Sequence, residues 1–395
     1  MGARRRLELI GKLEEDLKGR VVVYFLGDHP ASPAMLADDS MRPMYEELRR
    51  LVADSGDRRL PRIILYLYSQ GGNLATPWKL VNLIRAFCKE FQVLIPYNAY
   101  SAATLIAMGA DKILMTDMGR LGPIDPLIRS GPAESIGVED VSAYVRFVKD
   151  RMGIQDQAAL GVALEALSKN VNPSMLGQLE RLHSHIRLVA TKLLSLHTPP
   201  YPQQEMAKTT EILAEKSYLH GHGIERGEAK SIGLDVKALD GRVCDLSWDL
   251  YREYEALLKL DRSHDLRSLI PDKQESYSEP AFSVAVIESA KSCHACRGTL
   301  ELKRQRKMPP QNPQLNMNLS IKLPPFPASD PQTGEQATPP DIAQLQKAMK
   351  EQLQVLIPQM VQSAIALQWP EESIQARLSA HRWLDVTDER DAEGD

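Results

Sequence analysis

Residues 93–126, VLIPYNAYSAATLIAMGADKILMTDMGRLGPIDP, press a strand, a turn, a helix and a second strand into consecutive positions with almost no connecting chain. Val93–Pro96 is a short apolar run of strand type. It leads through Tyr100 into a small-residue elbow at Ser101-Ala102-Ala103, a helix from about Ala102 to Gly109, and a fourth strand at Lys112–Thr116. A repeating β-α-β-α order implies a parallel sheet with right-handed crossovers. The same order stands upstream. Val21–Leu26 is a strand rich in β-branched and aromatic residues, and Asp39–Ala53 is a helix with Met44, Leu48, Leu51 and Val52 on one side. Ile63–Tyr68 is the next strand, and Pro77–Phe87 the next helix. The pattern predicts an α/β fold around a mostly parallel sheet, with its sites at the carboxyl ends of the strands.

Two features sit at those ends. Ile63–Tyr68 runs into Ser69-Gln70-Gly71-Gly72-Asn73, where bare glycine lets backbone N–H groups approach a reacting oxygen closely. Ser101 stands at a strand-to-helix turn, where its hydroxyl points away from a helix whose first N–H groups lack partners. A serine beside donors for a developing oxyanion suggests acyl transfer or hydrolysis.

The rest of the chain bounds this reading. Residues 1–20 carry Leu7, Ile10, Leu13 and Leu17 at helical spacing, and basic residues with no apolar segment behind them, which is not a secretory signal. Helices are predicted at Val138–Met152, Pro173–Leu196, about Pro202–Ser217, Glu225–Ser231 and Asp245–Leu260, with a short strand at Leu234–Val236. The formal charge of −4 does not point to nucleic acid, and no apolar run is long enough for a membrane span. A cytoplasmic location is expected. Cys293-His294-Ala295-Cys296 is a lone CxxC without a second knuckle, so reduced thiols are expected, and no metal site. Nine prolines between Met308 and Pro340 describe a segment that cannot bury a core. Beyond it, Leu345, Met349, Leu353, Met360 and Ile365 are spaced as on a helix, interrupted at Pro358, and Asp385–Asp395 is acidic. The expected division is a catalytic unit over residues 1–290, a Pro-rich flexible linker over 291–340, and a helical tail over 341–395 with a disordered acidic end.

YSQGGN, IPYNAYSAATLIAMGADKILM and LGPIDP together resemble the serine dehydrogenase proteinase family of the Clp protease/crotonase superfamily, related to signal peptide peptidase A. HGHGIERGEAKSIGLDV is similar to the Gly-x-x-Ala-x-x-x-Gly-Leu segment of signal peptide peptidases, with the gap from Gly227 to Ala229 one residue shorter. The resemblance covers roughly residues 6–245. It implies a stacked spiral of ββα units that assembles into trimers, tetramers or larger rings. It implies Ser101 as nucleophile, the Gly71, Gly72 and Ala102 N–H groups as oxyanion hole, and a substrate groove shaped by LGPIDP. Neither a metal nor an organic cofactor is implied.

A serine needs a base. Where Clp proteases carry their histidine, this chain reads Gly122-Pro123-Ile124-Asp125-Pro126, and Asp125 stands closest. Signal peptide peptidases use a lysine after the following helix, which Lys169 matches in chain order. A buried lysine can serve as a base. His220 and His222, in a glycine-punctuated turn, are the alternatives; His183 and His185 lie among arginines on a helix. The leading expectation is a serine peptidase acting on protein or peptide through an acyl-enzyme, homo-oligomeric, with a tail that could dock a partner. The alternatives are a crotonase-type acyl-CoA enzyme and a non-catalytic Clp-like scaffold.

Overall fold

The computed structural model describes residues 2–53, 56–125, 127–129, 135–215, 221–261, 265–271, 274–305 and 373–392, with a few positions between 350 and 361. The chain opens with α1 (Ala3–Leu17), β1 (Arg20–Leu26), α2 (Met41–Ala53), β2 (Leu60–Tyr68), α3 (Thr76–Ala86) and β3 (Cys88–Ile95). Then come β4 (Asn98–Ala99), α4 (Ala102–Met108), β5 (Lys112–Met115), β6 (Arg120–Leu121), β7 (Leu127–Arg129) and β8 (Ser135–Gly137). A helical region follows: α5 (Val138–Arg146), continued by a π-turn, α6 (Gln157–Asn170), α7 (Pro173–Leu194), α8 (Gln203–Glu215) and α9 (Arg226–Ile232). The last elements are β9 (Val236–Ala238), α10 (Gly241–Leu257), β10 (Ser276–Glu288), β11 (Cys293–Gln305), β12 (Ser373–Asp385) and α11 (Thr387–Ala392).

The main sheet runs β12-β11-β10-β1-β2-β3-β5-β9. From β1 to β9 every pairing is parallel; Val23 lies beside Tyr66, Tyr66 beside Leu94, and Leu94 beside Leu114. β10 pairs antiparallel with β1. β1 and β2 read as almost unbroken apolar runs because both faces of the sheet are covered. On one face Val21, Val23, Phe25, Ile64, Tyr66 and Tyr68 join residues of α1 and α10 in a single core. On the other, α3 and α4 lie against β3, and α7 packs on α4. The βαβ order and the parallel sheet read from the sequence are those of the structure.

A second, smaller ribbon crosses the carboxyl ends of these strands. Leu36 pairs with Gly72, Ser69 with Ala99, β4 with β6, and Leu121 with Ile224. Each pairing is only one or two residues long. Together they bring five distant stretches of chain to the same edge.

Two compact units divide the chain, one of residues 1–264, 279–300 and 378–395, the other of 265–278 and 301–377. The described part of the second holds a 3-10 turn at Leu266–Leu269, opened by the Asp265 carboxylate accepting from Arg267 N–H at 3.0 Å. The first unit reaches further than the expected boundary at 290. Cys293–Gln305 is strand rather than linker, and Ser373–Asp385 is strand rather than helical tail. Within the acidic end, Thr387–Ala392 is helix. The physical reason is burial. Val386 and Arg390 are almost wholly enclosed, and Arg390 donates to Ser289 O at 2.8 Å and lies 3.8 Å from Glu288. Glu288 also binds Arg6 at 2.9 Å and accepts from Tyr254 Oη at 2.6 Å, so both ends of the chain meet one buried carboxylate. The Pro-rich segment at 308–340 and most of the expected helix at 342–366 lie outside the described residues. Cys293 and Cys296 lie three apart in an extended strand, on opposite faces, which is not the geometry of a metal knuckle.

Candidate active site

β2 ends at Tyr68 and the chain turns through Ser69-Gln70-Gly71-Gly72. Ser69 is buried, and its Oγ accepts from Gly71 N–H at 3.0 Å. Gly71 and Gly72 have φ of +108° and +153°, the left-handed region where a side chain is strained. Gly71 O accepts from Leu36 N–H at 2.8 Å, and Leu36 O accepts from Asn73 N–H at 2.7 Å. A Cβ on Gly72 would overlap the Leu36 backbone.

The elbow is laced to this loop. Ser69 N–H donates to Asn98 O, and Tyr100 N–H donates to Ser69 O, both at 3.0 Å. The next residue, Ser101, has φ +52° and ψ −113°. A non-glycine residue there stores roughly 1–3 kcal/mol of strain and persists only where the surroundings hold it. They do so on both sides. Tyr100 O accepts from Ala103 N–H at 2.9 Å and Ser101 O from Leu105 N–H at 3.2 Å, starting α4, every residue of which is buried. A Cβ on Gly71 would come within 2.9 Å of Ser101 Cβ and 3.0 Å of Tyr100 O. The half-buried Ser101 side chain does not cap its own helix.

Of the three amides expected to form an oxyanion hole, Gly71 N–H is turned inward to Ser69 Oγ. Among the described residues, the Gly72 and Ala102 N–H groups have no partner in this network. Gly72 N–H points away from the edge paired with Leu36, and Ala102 is the first residue of α4. Gly71 is needed here for its missing side chain rather than for its amide.

The LGPIDP stretch is pinned from beneath. Thr104 Oγ1 lies 2.8 Å from both Ala99 O and Gly122 O, and accepts from Gly122 N–H at 3.0 Å. Ile124 N–H donates to Leu213 O in α8 at 3.1 Å. Asp125 follows, almost fully buried, and Pro126 lies outside the described residues.

Three of the four candidate bases, Lys169, His222 and Asp125, lie among the described residues. Lys169, on the last turn of α6, has 72% of its side chain exposed and pairs with Glu165 at 3.1 Å. The dry surroundings that a lysine base requires are absent around it, because α6 lies at the surface. His220 lies outside the described residues. His222 is half-buried, with Nε2 at 3.1 and 3.2 Å from the two Glu228 carboxylate oxygens. Its turn is sewn to the site: Leu121 and Ile224 exchange both N–H···O bonds, at 3.0 and 2.8 Å. A Cβ on Gly223 would sit 3.3 Å from Tyr100 Oη, next in sequence to Ser101. His183 and His185 lie on α7. Sequence reasoning passed over Ser69, Thr104 and Glu228. Only Glu228 left a trace, as an acidic residue in the first turn of a helix just after the histidine turn.

A family model for ClpP-like SDH-type serine proteinases matches residues 45–259. Two uncharacterised proteins of Methanocaldococcus jannaschii are similar to the chain. One is 28% identical over 191 residues, 48% of this chain and 58% of that protein. The other is 33% identical over 174 residues, 44% of this chain and 51% of that protein. The chain thus matches little more than half the length of these curated relatives. Among solved structures, a mutant of the 1510-N membrane-bound stomatin-specific protease covers 53% of this chain and 76% of its own, at 13% identity and a TM-score of 0.33. ClpP1 from Listeria monocytogenes covers 58% and 96%, at 13% identity and a TM-score of 0.32.

Proposed function

The chain belongs to the family of ClpP-like SDH-type serine proteinases, and on that footing we propose that it is a serine peptidase acting on protein or peptide with Ser101 as nucleophile. The observation that carries this is the backbone of Ser101, held at positive φ against the side-chain-free Gly71. Such strain has no use in a scaffold and favours a presented hydroxyl. An enolate-forming acyl-CoA enzyme would need the amides but not the serine.

In the proposed reaction Ser101 Oγ attacks the scissile carbonyl while a base takes its proton. The carbonyl oxygen gains the displaced electron pair and is held by Gly72 and Ala102 N–H. Collapse expels the amine, which takes the proton, and water then hydrolyses the acyl-enzyme. Of the candidate bases, His222 is favoured over Lys169, because its turn lies against Tyr100 and its ring is paired with a carboxylate. Asp125 is the weaker choice because it is enclosed in a pinned loop.

The test is intact-mass labelling with a fluorophosphonate probe. One adduct on the wild type, absent from Ser101→Ala, is the expected result; an adduct that survives in the variant removes Ser101 from the mechanism.

Assembly into a homo-oligomer is part of the proposal. Phe147, Met152, Val162 and Leu188, spread over α5 to α7, are all more than half exposed. Sedimentation velocity should give a species of at least three chains, and Phe147→Glu with Leu188→Glu should reduce it; a wild-type monomer at micromolar concentration would refute assembly. Among the described residues, no helix is long and apolar enough to cross a membrane. A cytoplasmic location is proposed with that in view, as is a partner for the tail.

A further inference from the structure

We infer that Thr104 is a positioning residue, whose hydroxyl clamps the strained backbone of Ser101 and ties the LGPIDP loop to it. The inference rests on the serine-peptidase reading above and adds what keeps its nucleophile in place.

Ser101 holds φ +52° without the freedom of glycine. A residue so placed relaxes unless its neighbours prevent it. Thr104 stands three residues further on, fully buried, and its Oγ1 lies 2.8 Å from Ala99 O, two residues before the nucleophile. This bond closes a ring over residues 99–104 with Ser101 inside it. Its direction is unusual. A threonine in a helix ordinarily returns its hydroxyl to the carbonyl three or four residues back. Here those two carbonyls, Ser101 O and Tyr100 O, already accept from Leu105 N–H at 3.2 Å and Ala103 N–H at 2.9 Å. Ala99 O stands five residues back, in β4. The hydroxyl therefore reaches past the start of its own helix and spans the turn that carries Ser101.

The same oxygen holds the loop. It lies 2.8 Å from Gly122 O and accepts from Gly122 N–H at 3.0 Å. A hydroxyl has one hydrogen and two lone pairs. The hydrogen is shared between Ala99 O and Gly122 O, and a lone pair takes the Gly122 amide, so the group is spent entirely on backbone. Ala99 and Gly122 are buried as well, where a backbone group deprived of its partner finds no easy substitute. Gly122 in turn lies against the elbow: a Cβ on it would fall 2.9, 3.0 and 3.1 Å from Tyr100 Cδ1, Cγ and Cβ. Thr104 thus joins the end of β4, the first turn of α4 and the loop beyond β6 around Ser101 and the neighbouring Ala102 N–H. Removing its hydroxyl loosens all three without altering the serine or any candidate base.

Fluorophosphonate labelling of the full chain reads this out. The Ser101 Oγ–P bond forms, the P–F bond breaks with loss of fluoride, and the Oγ proton passes to a base. Rates measured against probe concentration separate the maximal rate from the half-saturating concentration. Thr104→Val keeps the shape and removes the hydroxyl, Thr104→Ser keeps the hydroxyl and removes the methyl, and Gly122→Ala keeps both and wedges the loop from Tyr100. Each is labelled well below its own melting midpoint, so that only folded protein is compared. Thr104→Val should lower the maximal rate about 10-fold or more and leave the half-saturating concentration unchanged, as misplacement of a reacting group does. Thr104→Ser should label within about twofold of the wild type, although the cavity left by its methyl lowers the melting midpoint. Gly122→Ala should slow labelling about as much as Thr104→Val.

A merely structural threonine would make labelling follow the melting midpoint in both variants at 104, and equal losses in Thr104→Val and Thr104→Ser would overturn the clamp. Labelling of Thr104→Val at the wild-type rate would overturn it while leaving Ser101 as nucleophile. Where Thr104→Val does not fold, Gly122→Ala decides, and its labelling at the wild-type rate has the same meaning. A wild type that takes up no probe would remove the serine-peptidase reading, and the clamp with it.

Discussion

Gly71 and Ser101 share one small volume, and each sets the terms for the other. An alanine at 71 would need φ +108° with a methyl group 2.9 Å from Ser101 Cβ. Gly71→Ala should therefore cut fluorophosphonate labelling at least tenfold and lower stability by about 1–3 kcal/mol. Unchanged labelling, with the melting temperature retained, would show the elbow to be slack. This pairing was legible in the sequence, since a serine between a strand and a helix and two glycines after the neighbouring strand each have few other uses. Which amides face outward was not legible. It depends on the Ser69 hydroxyl, a side chain whose direction no periodicity encodes. The exposure of Lys169 was not legible for a related reason. Its place in chain order matched, but chain order carries no information about exposure. Glu228 meets His222 across a turn, at a spacing that belongs to no helix or strand repeat.

At the scale of elements, α4 is the piece that presents Ser101, and seven residues are too few to be stable alone. It is tied at both ends. Thr104 fastens its start to the Gly122 loop; at the other end His197 Nε2 lies 2.7 Å from Met108 O, and Arg85 donates to Gly109 O at 2.9 and 3.0 Å. Burial holds the His197 imidazole below its ordinary value, although the Met108 carbonyl, Asp111 and Asp235 favour the charged form; Arg85 opposes it. The folded state therefore binds fewer protons than the unfolded chain once the pH falls below about 6.5. The contribution of His197 is complete above that value and is lost as the pH falls toward the lower folded value. The melting temperature should decline as the pH falls below about 6.5, and His197→Gln, which can still donate to Met108 O, should decline less; an equal decline would assign the effect elsewhere. The helices and parallel strands around α4 were readable because each repeats its burial pattern over several residues. β12 was not. Its apolar residues Ile374, Ala376 and Leu378 alternate with Gln375 and Arg377 and are only half-buried, a weak pattern beyond a long Pro-rich stretch. In β11 the CxxC spelling drew attention from an alternation that was there to be read.

For the molecule as a whole, the C-terminal strands belong to the folded body. Ending the chain after residue 372 removes β12 and α11, and with them the bond from Val386 N–H to Cys293 O at 2.9 Å and Arg390 beside Glu288. Stability should fall by about 3 kcal/mol or more, since Glu288 keeps Arg6 but loses its second buried cation, and the buried Val386 leaves the core. Chemical denaturation would measure this, and an unchanged midpoint would return the boundary to 290. The order of the strands also has a history written into it. β1 lies between β2 and β10, so Val23 finds Tyr66 early and must wait for Glu288 on its other side. While the ribosome is still making the helical middle of the chain, the first strand stands with one flank unzipped, its amides and carbonyls open to any passing strand. Birth is therefore the hazardous hour for this protein, and a nascent chain stalled before residue 276 should be what chaperones catch.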